Sequence, residues 1–280
     1  MRKLIKEDLI IYENETEVEY VGKGKYDLCS ICELKKKMSE DHIPPKCCGN
    51  NGKVFYRRFT PEYIGFQTKP IKDLYSQNGI KFRYICSECN NLLGTKYDDE
   101  LGKFKEVILK ILNGSNKQYN IDVNKIVKSV VGDFLASSER DNCTHSVAMR
   151  DYFFDKNVDA FFKDYSLFVY FYPYKDQVFI MKEYMVLDFK DNKFSDKLLS
   201  SLYFYPFAFI FSEKRADSNG TDLLEFFNDR SELRISTNDW YYDDGRMKEY
   251  SWPVVVTGYN AVLVGSATKD SVFDVKIKNN

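Results

Sequence analysis

Histidine is nearly missing from this chain: 280 residues contain two, His42 and His145. A histidine-rich metal centre is thereby excluded, and any imidazole chemistry falls on one of two positions. Long hydrophobic runs are missing too. The longest are fragments such as FAFIF (Phe207 to Phe211), far short of the roughly 18 apolar residues a membrane-spanning helix needs. The opening MRKLIKEDLIIYENE breaks every apolar stretch with charge, so no secretory leader is visible and a reducing cytoplasm is the expected setting. A strong charge of either sign is also lacking, the net formal charge being −1.

Cysteine is present, and its spacing is informative. Four of the seven cysteines form two CxxC pairs, Cys29/Cys32 and Cys86/Cys89. Each pair places two thiolates on one tight knuckle, and two knuckles complete the tetrahedron of a structural zinc. The 53 residues between Cys32 and Cys86 far exceed the roughly 15 to 20 of a simple zinc ribbon, so a long loop is anchored at both ends by the metal. Disulfides are the competing explanation, disfavoured by the missing leader. Cys47, Cys48 and Cys143 have no CxxC partner and are expected to be free thiols, with Cys47 or Cys48 an alternative ligand.

The near-zero net charge hides an asymmetry. Residues 1–120 carry 21 Lys+Arg against 17 Asp+Glu, and residues 121–280 carry 20 against 25. The basic half is the half with the paired cysteines. Lys35, Lys36 and Lys37 precede Asp41-His42, and Arg57, Arg58, Lys69, Lys72, Lys81 and Arg83 follow it. Such a face attracts a phosphate backbone; an ordinary solvated lysine surface is the plainer alternative.

Length exceeds the usual single-domain size, so two domains are expected. Residues 1–27 look like an irregular acidic lead-in with a short edge strand in ENETEVEY. A cysteine module spans 28–114. It ends in a helix marked by Leu101, Phe104, Ile108, Ile111 and Leu112, with Asn113-Gly114 as the stop. GSNKQYN (Gly114 to Asn120) is the boundary. In 121–280 a second amphipathic helix, carrying Ile126, Val127, Val130, Val131, Phe134 and Leu135, starts at Asp122 or Asn124. From about 165 onward LFVYFYPY, QVFIMKEYMVL, LYFYPFAFIF, LRIS, WPVVVTG and AVLVG read as strands between polar turns. The fold class expected is α+β, with a mainly antiparallel sheet in the second part.

Hydrolysing a phosphodiester requires a base for water, a divalent cation for the developing charge, and cationic side chains for the backbone. His42, beside a carboxylate, is the natural base. Asp41 and Asn90 are hard oxygen donors suited to Mg²⁺ or Mn²⁺. Asn90 directly follows Cys89, so a structural zinc would fix its position relative to the loop bearing Asp41.

In CSIC (Cys29 to Cys32), DHIPPK (Asp41 to Lys46) and CSECNNLLGTKYDDEL (Cys86 to Leu101) the chain resembles the HNH endonucleases, or ββα-metal nucleases, over about 29–101. The resemblance implies a zinc-stabilised N-terminal ββα-metal domain. It implies His42 as general base, Asp41 and Asn90 as ligands of a catalytic Mg²⁺ or Mn²⁺, and DNA as substrate, with 5′-phosphate and 3′-hydroxyl ends. It would also put DHIPPK on the first strand and Asn90 at the helix start. The family's middle asparagine, which steadies the histidine loop, has three candidates here: Asn78, Asn50 and Asn51.

Asp98 and Asp99, two turns beyond Asn90, are read as helix-surface carboxylates in preference to metal ligands. His145 is expected to be a surface or satisfied core histidine. The aromatic runs Tyr170 to Tyr174 and Tyr203 to Phe207 are taken as strand core in preference to base-stacking platforms. The whole points to a DNA endonuclease in the setting of host defence or mobile elements, with no membrane role. An RNA substrate is the weaker variant. The alternative from another class is a catalytically silent zinc module that binds nucleic acid or protein.

Overall fold

The computed structural model describes residues 3–6, 9–14, 17–21, 26–58, 73–115, 117, 119–188, 195–214, 221–227, 232–235, 260–264 and 271–277. Two expected features, WPVVVTG and the basic Lys69 and Lys72, lie outside them.

The N-terminal segment is more regular than its composition suggests. Strands β1 (Lys3–Lys6), β2 (Leu9–Asn14) and β3 (Glu17–Val21) form an antiparallel three-stranded sheet. Acidic residues occupy only alternate positions of the β3 sequence, a spacing compatible with a strand.

The cysteine module is built on a second three-stranded sheet, β4 (Tyr26–Leu28), β5 (Lys35–His42) and β8 (Lys81–Cys86), with β5 between the others. β8 runs straight into α1 (Ser87–Lys96), and α2 (Asp98–Leu112) follows after Tyr97. α2 buries Leu101, Phe104, Val107, Ile108 and Ile111, the three-and-four spacing of one helix face. Asp98, Asp99 and Glu100 occupy its first turn, where the helix dipole favours negative charge. Gly114, at φ 86°, ends it in the left-handed conformation glycine adopts without penalty.

Between β5 and β8 the chain leaves the module. β6 (Val54–Arg58) and β7 (Leu74–Ser76) join the large antiparallel sheet through the pairing of β6 with β17 (Val272–Ile277). The other strands of that sheet are β10 (Tyr165–Phe171), β11 (Val178–Asp188), β12 (Ser195–Phe204), β13 (Phe207–Glu213), β14 (Thr221–Asp222) and β16 (Asn260–Val264). The order is β14-β10-β13-β12-β11-β17-β6-β7, with β16 beside β11. The run LYFYPFAFIF is thus two strands, not one: Phe204 pairs with Phe207 across a turn at Tyr205-Pro206, where a proline without an N–H suits a turn better than a central ladder. β9 (Tyr119–Asp122) and β15 (Glu232–Ile235) form a small separate pair.

Helices α3 (Val123–Ala136), α4 (Thr144–Phe153) and α5 (Val158–Asp164) cover the sheet. The Asp122 side chain accepts from the Lys125 N–H, the N-cap expected of this residue. α3 passes close to α1 at Gly132, where an added Cβ would lie 2.3 Å from Leu93 Cδ2. α2 meets the sheet through Phe104, stacked on Phe207 at 4.6 Å. One buried cluster therefore runs from Cys29 through α2 and α3 to β13. Tyr170, Phe171, Tyr172, Tyr203, Phe204 and Phe207 are buried and belong to the core, whereas Tyr174 is exposed and Tyr205 half-buried. The architecture is α+β with a mainly antiparallel sheet. No helix among the described residues is long and apolar enough to cross a membrane.

Candidate functional site

The two CxxC pairs meet. Cys29 and Cys32 lie on the turn between β4 and β5, Cys86 ends β8, and Cys89 sits in the first turn of α1. One sulfur from each lies within 4.8 Å of all the others. The Cys32 and Cys86 Sγ atoms are 3.8 Å apart, close to the edge of a tetrahedron built on Zn–S bonds of about 2.3 Å. The knuckle backbone is tightly folded, with Glu33 N donating to Cys29 O and Cys29 N to Leu34 O, and Cys86 N donating to Cys29 Sγ at 3.3 Å. A hydrogen bond from Cys89 holds the Cys29 thiol down at about 5, while burial pushes Cys86 up to about 12. The donor set fits a tetrahedral thiophilic metal. Cys47 and Cys48 stand outside it: Cys47 Sγ donates to Asp98 O at 3.1 Å, and Cys48 is buried beneath.

The expected site residues also converge. Asp41 and His42 are the last residues of β5, antiparallel to β8 with Asp41 opposite Phe82 and His42 opposite Lys81. Ile43 to Lys46, by contrast, lie beyond the strand. Asn90, on α1, is tied to β5: its Nδ2 donates to Ser39 Oγ at 3.0 Å and to Glu40 O at 2.7 Å. Both donors being spent there, Oδ1 is the atom left for a cation. A cleft of about 500 Å³ is lined by Asp41, His42, Lys46, Lys81, Asn90 and Asp98, among others.

His42 is oriented by the backbone. Its Nε2 lies 3.0 Å from Asn78 O, and because a carbonyl only accepts, this nitrogen carries the proton and Nδ1 keeps the lone pair. Burial first, then the charge of Lys46, lowers the His42 pKa. The neutral ring that a base requires is therefore the favoured form near neutrality.

The three candidate asparagines play different parts. Asn78 contributes its backbone carbonyl, whereas the Asn50 side chain fastens the loop. Asn50 Nδ2 donates to Pro44 O at 2.8 Å and Ile80 O at 2.9 Å, and its Oδ1 accepts from Ile80 N at 2.7 Å. It thus clamps the segment after His42 to the segment before β8. Gly79 makes this approach possible: at φ +67°, an added Cβ would lie 2.3 Å from Asn50 O. Asn51 is exposed.

Asp98 departs from expectation. Asp98 lines the cleft, with Oδ1 accepting from Ser129 Oγ at 2.7 Å, so it is not a helix-surface group; Asp99 is the exposed one. Burial raises Asp98 to about 6. Asp41 is 6% exposed, its Oδ2 has no hydrogen-bond partner, and burial followed by the charge of Asp98 raises it to about 8. His145 is a second departure. It is fully buried with neither ring nitrogen bonded, packed edge-on against Tyr165 and Phe211.

Lys46 and Lys81 line the cleft, and basic residues of β5 and β8 are held in exposed ion pairs. Lys81 and Arg83 both pair with Glu40, at 3.1 and 2.7 Å, and Lys36 with Glu88 at 3.1 Å. These exposed pairs are cheap to exchange for phosphate. A further convergence, Asp141, Cys143 and Glu183, already contains a cation, since Lys182 Nζ lies 2.8 Å from Asp141 Oδ2. Compared with known protein families, curated proteins and solved structures, the chain finds no match.

Proposed function

We propose that the chain is a divalent-cation-dependent DNA endonuclease of the HNH type, with a structural zinc on Cys29, Cys32, Cys86 and Cys89. The observation that carries this reading is the joining of Asn90 to the strand that ends in Asp41-His42. It sets an amide oxygen, a buried carboxylate with an orphan oxygen, and an oriented neutral imidazole around one cleft. Strand, antiparallel strand and helix follow in the order the resemblance implies.

Asp41 and Asn90 fit a hard divalent cation such as Mg²⁺ or Mn²⁺ through their oxygen donors. Bound there, the cation would neutralise charge on the phosphate and the departing oxygen. The chain's own groups do the rest. His42 Nδ1 takes a proton from the attacking water as the water oxygen bonds to phosphorus. The P–O3′ bond breaks, the 3′ oxygen takes up a proton, and the phosphate stays on the 5′ end. The Asn78 carbonyl holds the ring and stabilises the imidazolium that forms. Lys46, Lys81 and Arg83 hold the backbone, and the zinc knuckles keep α1 in register with β5.

The test is cleavage of supercoiled plasmid with Mg²⁺ or Mn²⁺. His42→Ala should lower the rate by about 10² to 10⁴ fold with DNA affinity nearly unchanged, because affinity comes from lysines and arginines. A wild type that binds DNA but cuts nothing with any divalent cation would favour the silent zinc module. An undiminished His42→Ala rate would move the base elsewhere.

A further inference from the structure

Three carboxylates from three elements gather at the cleft, Asp41 and Asp98 in its lining and Asp133 behind them. Asp41 ends β5, Asp98 begins α2 and Asp133 lies on α3. Asp41 and Asp133 are 6% and 1% exposed, and the Oδ2 atom of each has no partner. They lie within electrostatic reach of one another: after burial, Asp98 and then Asp41 are the charges that most raise Asp133. Among the described residues no lysine, arginine or histidine pairs with any of the three. The Asp141–Glu183 cluster shows what balance looks like in this fold, with Lys182 inserted. Burying a carboxylate without a counter-charge is expensive, and several together call for a cation of more than one charge.

We propose that Asp98 is a third side-chain donor of the cation site formed by Asp41 and Asn90, a role that rests on the cation-dependent reading above. Two hydrogen bonds support it. Ser129 Oγ holds Asp98 Oδ1 at 2.7 Å, leaving Oδ2 for the cleft, and Asn90 has only Oδ1 left. Three oxygen donors from β5, α1 and α2 would favour Mg²⁺ or Mn²⁺ over zinc. Asp133 does not line the cleft and is not a donor; it lies behind the site on α3. Ser129 and Asp133 both belong to α3, so the helix that opens the C-terminal half backs the site.

The test reads cation binding in place of cleavage. Mn²⁺ is titrated into the full chain with its zinc retained, and free Mn²⁺ is followed by electron paramagnetic resonance. Asp98→Asn keeps an oxygen for Ser129 and should weaken Mn²⁺ binding about 10- to 100-fold, a loss on the scale of removing a metal-site partner. Its melting temperature without Mn²⁺ should be unchanged or higher, since one uncompensated charge is gone; a merely structural Asp98 would lower it. Ser129→Ala, which frees the carboxylate without removing it, should weaken binding less. Glu106→Gln, on the exposed side of α2, should bind Mn²⁺ like the wild type. Wild-type affinity in Asp98→Asn, with affinity lost in Asp41→Asn, overturns the proposal and leaves the nuclease reading standing. Weakened binding in both variants, with no cleavage by the wild type, sustains the cation site and rejects the nuclease.

Discussion

Asn50→Ala tests whether one side chain outside the two CxxC pairs holds the segment that follows His42. Asn50 makes three hydrogen bonds, to Pro44 O, Ile80 O and Ile80 N, and is 7% exposed. The three partners do not suffer equally. Ile80 O also accepts from Ile43 N at 3.3 Å, so it keeps one donor after truncation. Pro44 O and Ile80 N lose theirs and are left buried. At roughly 1–2 kcal/mol for each unsatisfied buried group, the loss should be about 2–4 kcal/mol. Asn50→Asp should cost at least as much, because it turns a carboxylate oxygen toward two carbonyls that need a donor. Urea denaturation followed by circular dichroism measures both, and cleavage should fall because the segments on either side of the clamp carry His42 and the Asn78 carbonyl that orients it. A loss below about 0.5 kcal/mol in Asn50→Ala, the scale of an ordinary surface change, would refute the reasoning. So would an Asn50→Asp protein more stable than Asn50→Ala.

Cys29→Ser or Cys86→Ser should lower both zinc content by elemental analysis and the melting temperature, because structural zinc binding is coupled to folding; zinc unaltered in both variants would remove that site. Asp41→Ala and Asn90→Ala should retain zinc and lose Mg²⁺-dependent cleavage, and zinc loss in Asn90→Ala would assign that side chain to the structural metal. Acid should weaken the fold through His145, whose pKa is lowered by burial to about 4 against about 6.5 when unfolded. The unfolded chain takes up this proton first, so the contribution is whole above pH 6.5 and falls by about 3 kcal/mol as pH drops to 4. His145→Phe, among Tyr165 and Phe211, should flatten the stability profile over that window; an unchanged profile would place the acid sensitivity in another group.

The local signals were legible because they depend on neighbours in sequence. CxxC spacing dictates a two-thiolate knuckle wherever it occurs, and the four sulfurs do meet. The apolar spacing of Leu101, Phe104, Ile108 and Ile111 dictates a helix with one buried face, and Asp122 caps the helix that follows. Proline decided the split of LYFYPFAFIF, a turn signal embedded in an otherwise strand-like aromatic run. Other facts needed the tertiary structure, because they depend on partners distant in sequence. Asn50, Asn51 and Asn78 are equivalent on paper; only the return of the chain from the large sheet sets the Asn50 amide between Pro44 and Ile80 and leaves Asn78 its carbonyl. Asp98 reads as a first-turn helix carboxylate, a role it also fills, until α3 folds over it and Ser129 takes one of its oxygens. The sequence by itself determined where metal-ligating and titratable atoms are spaced to act together, since donor atoms and their spacing are local; the four sulfurs are the case that meets. Tertiary structure decided which carboxylates lost their water, because burial is a property of everything that packs around a group and of nothing in its own tripeptide.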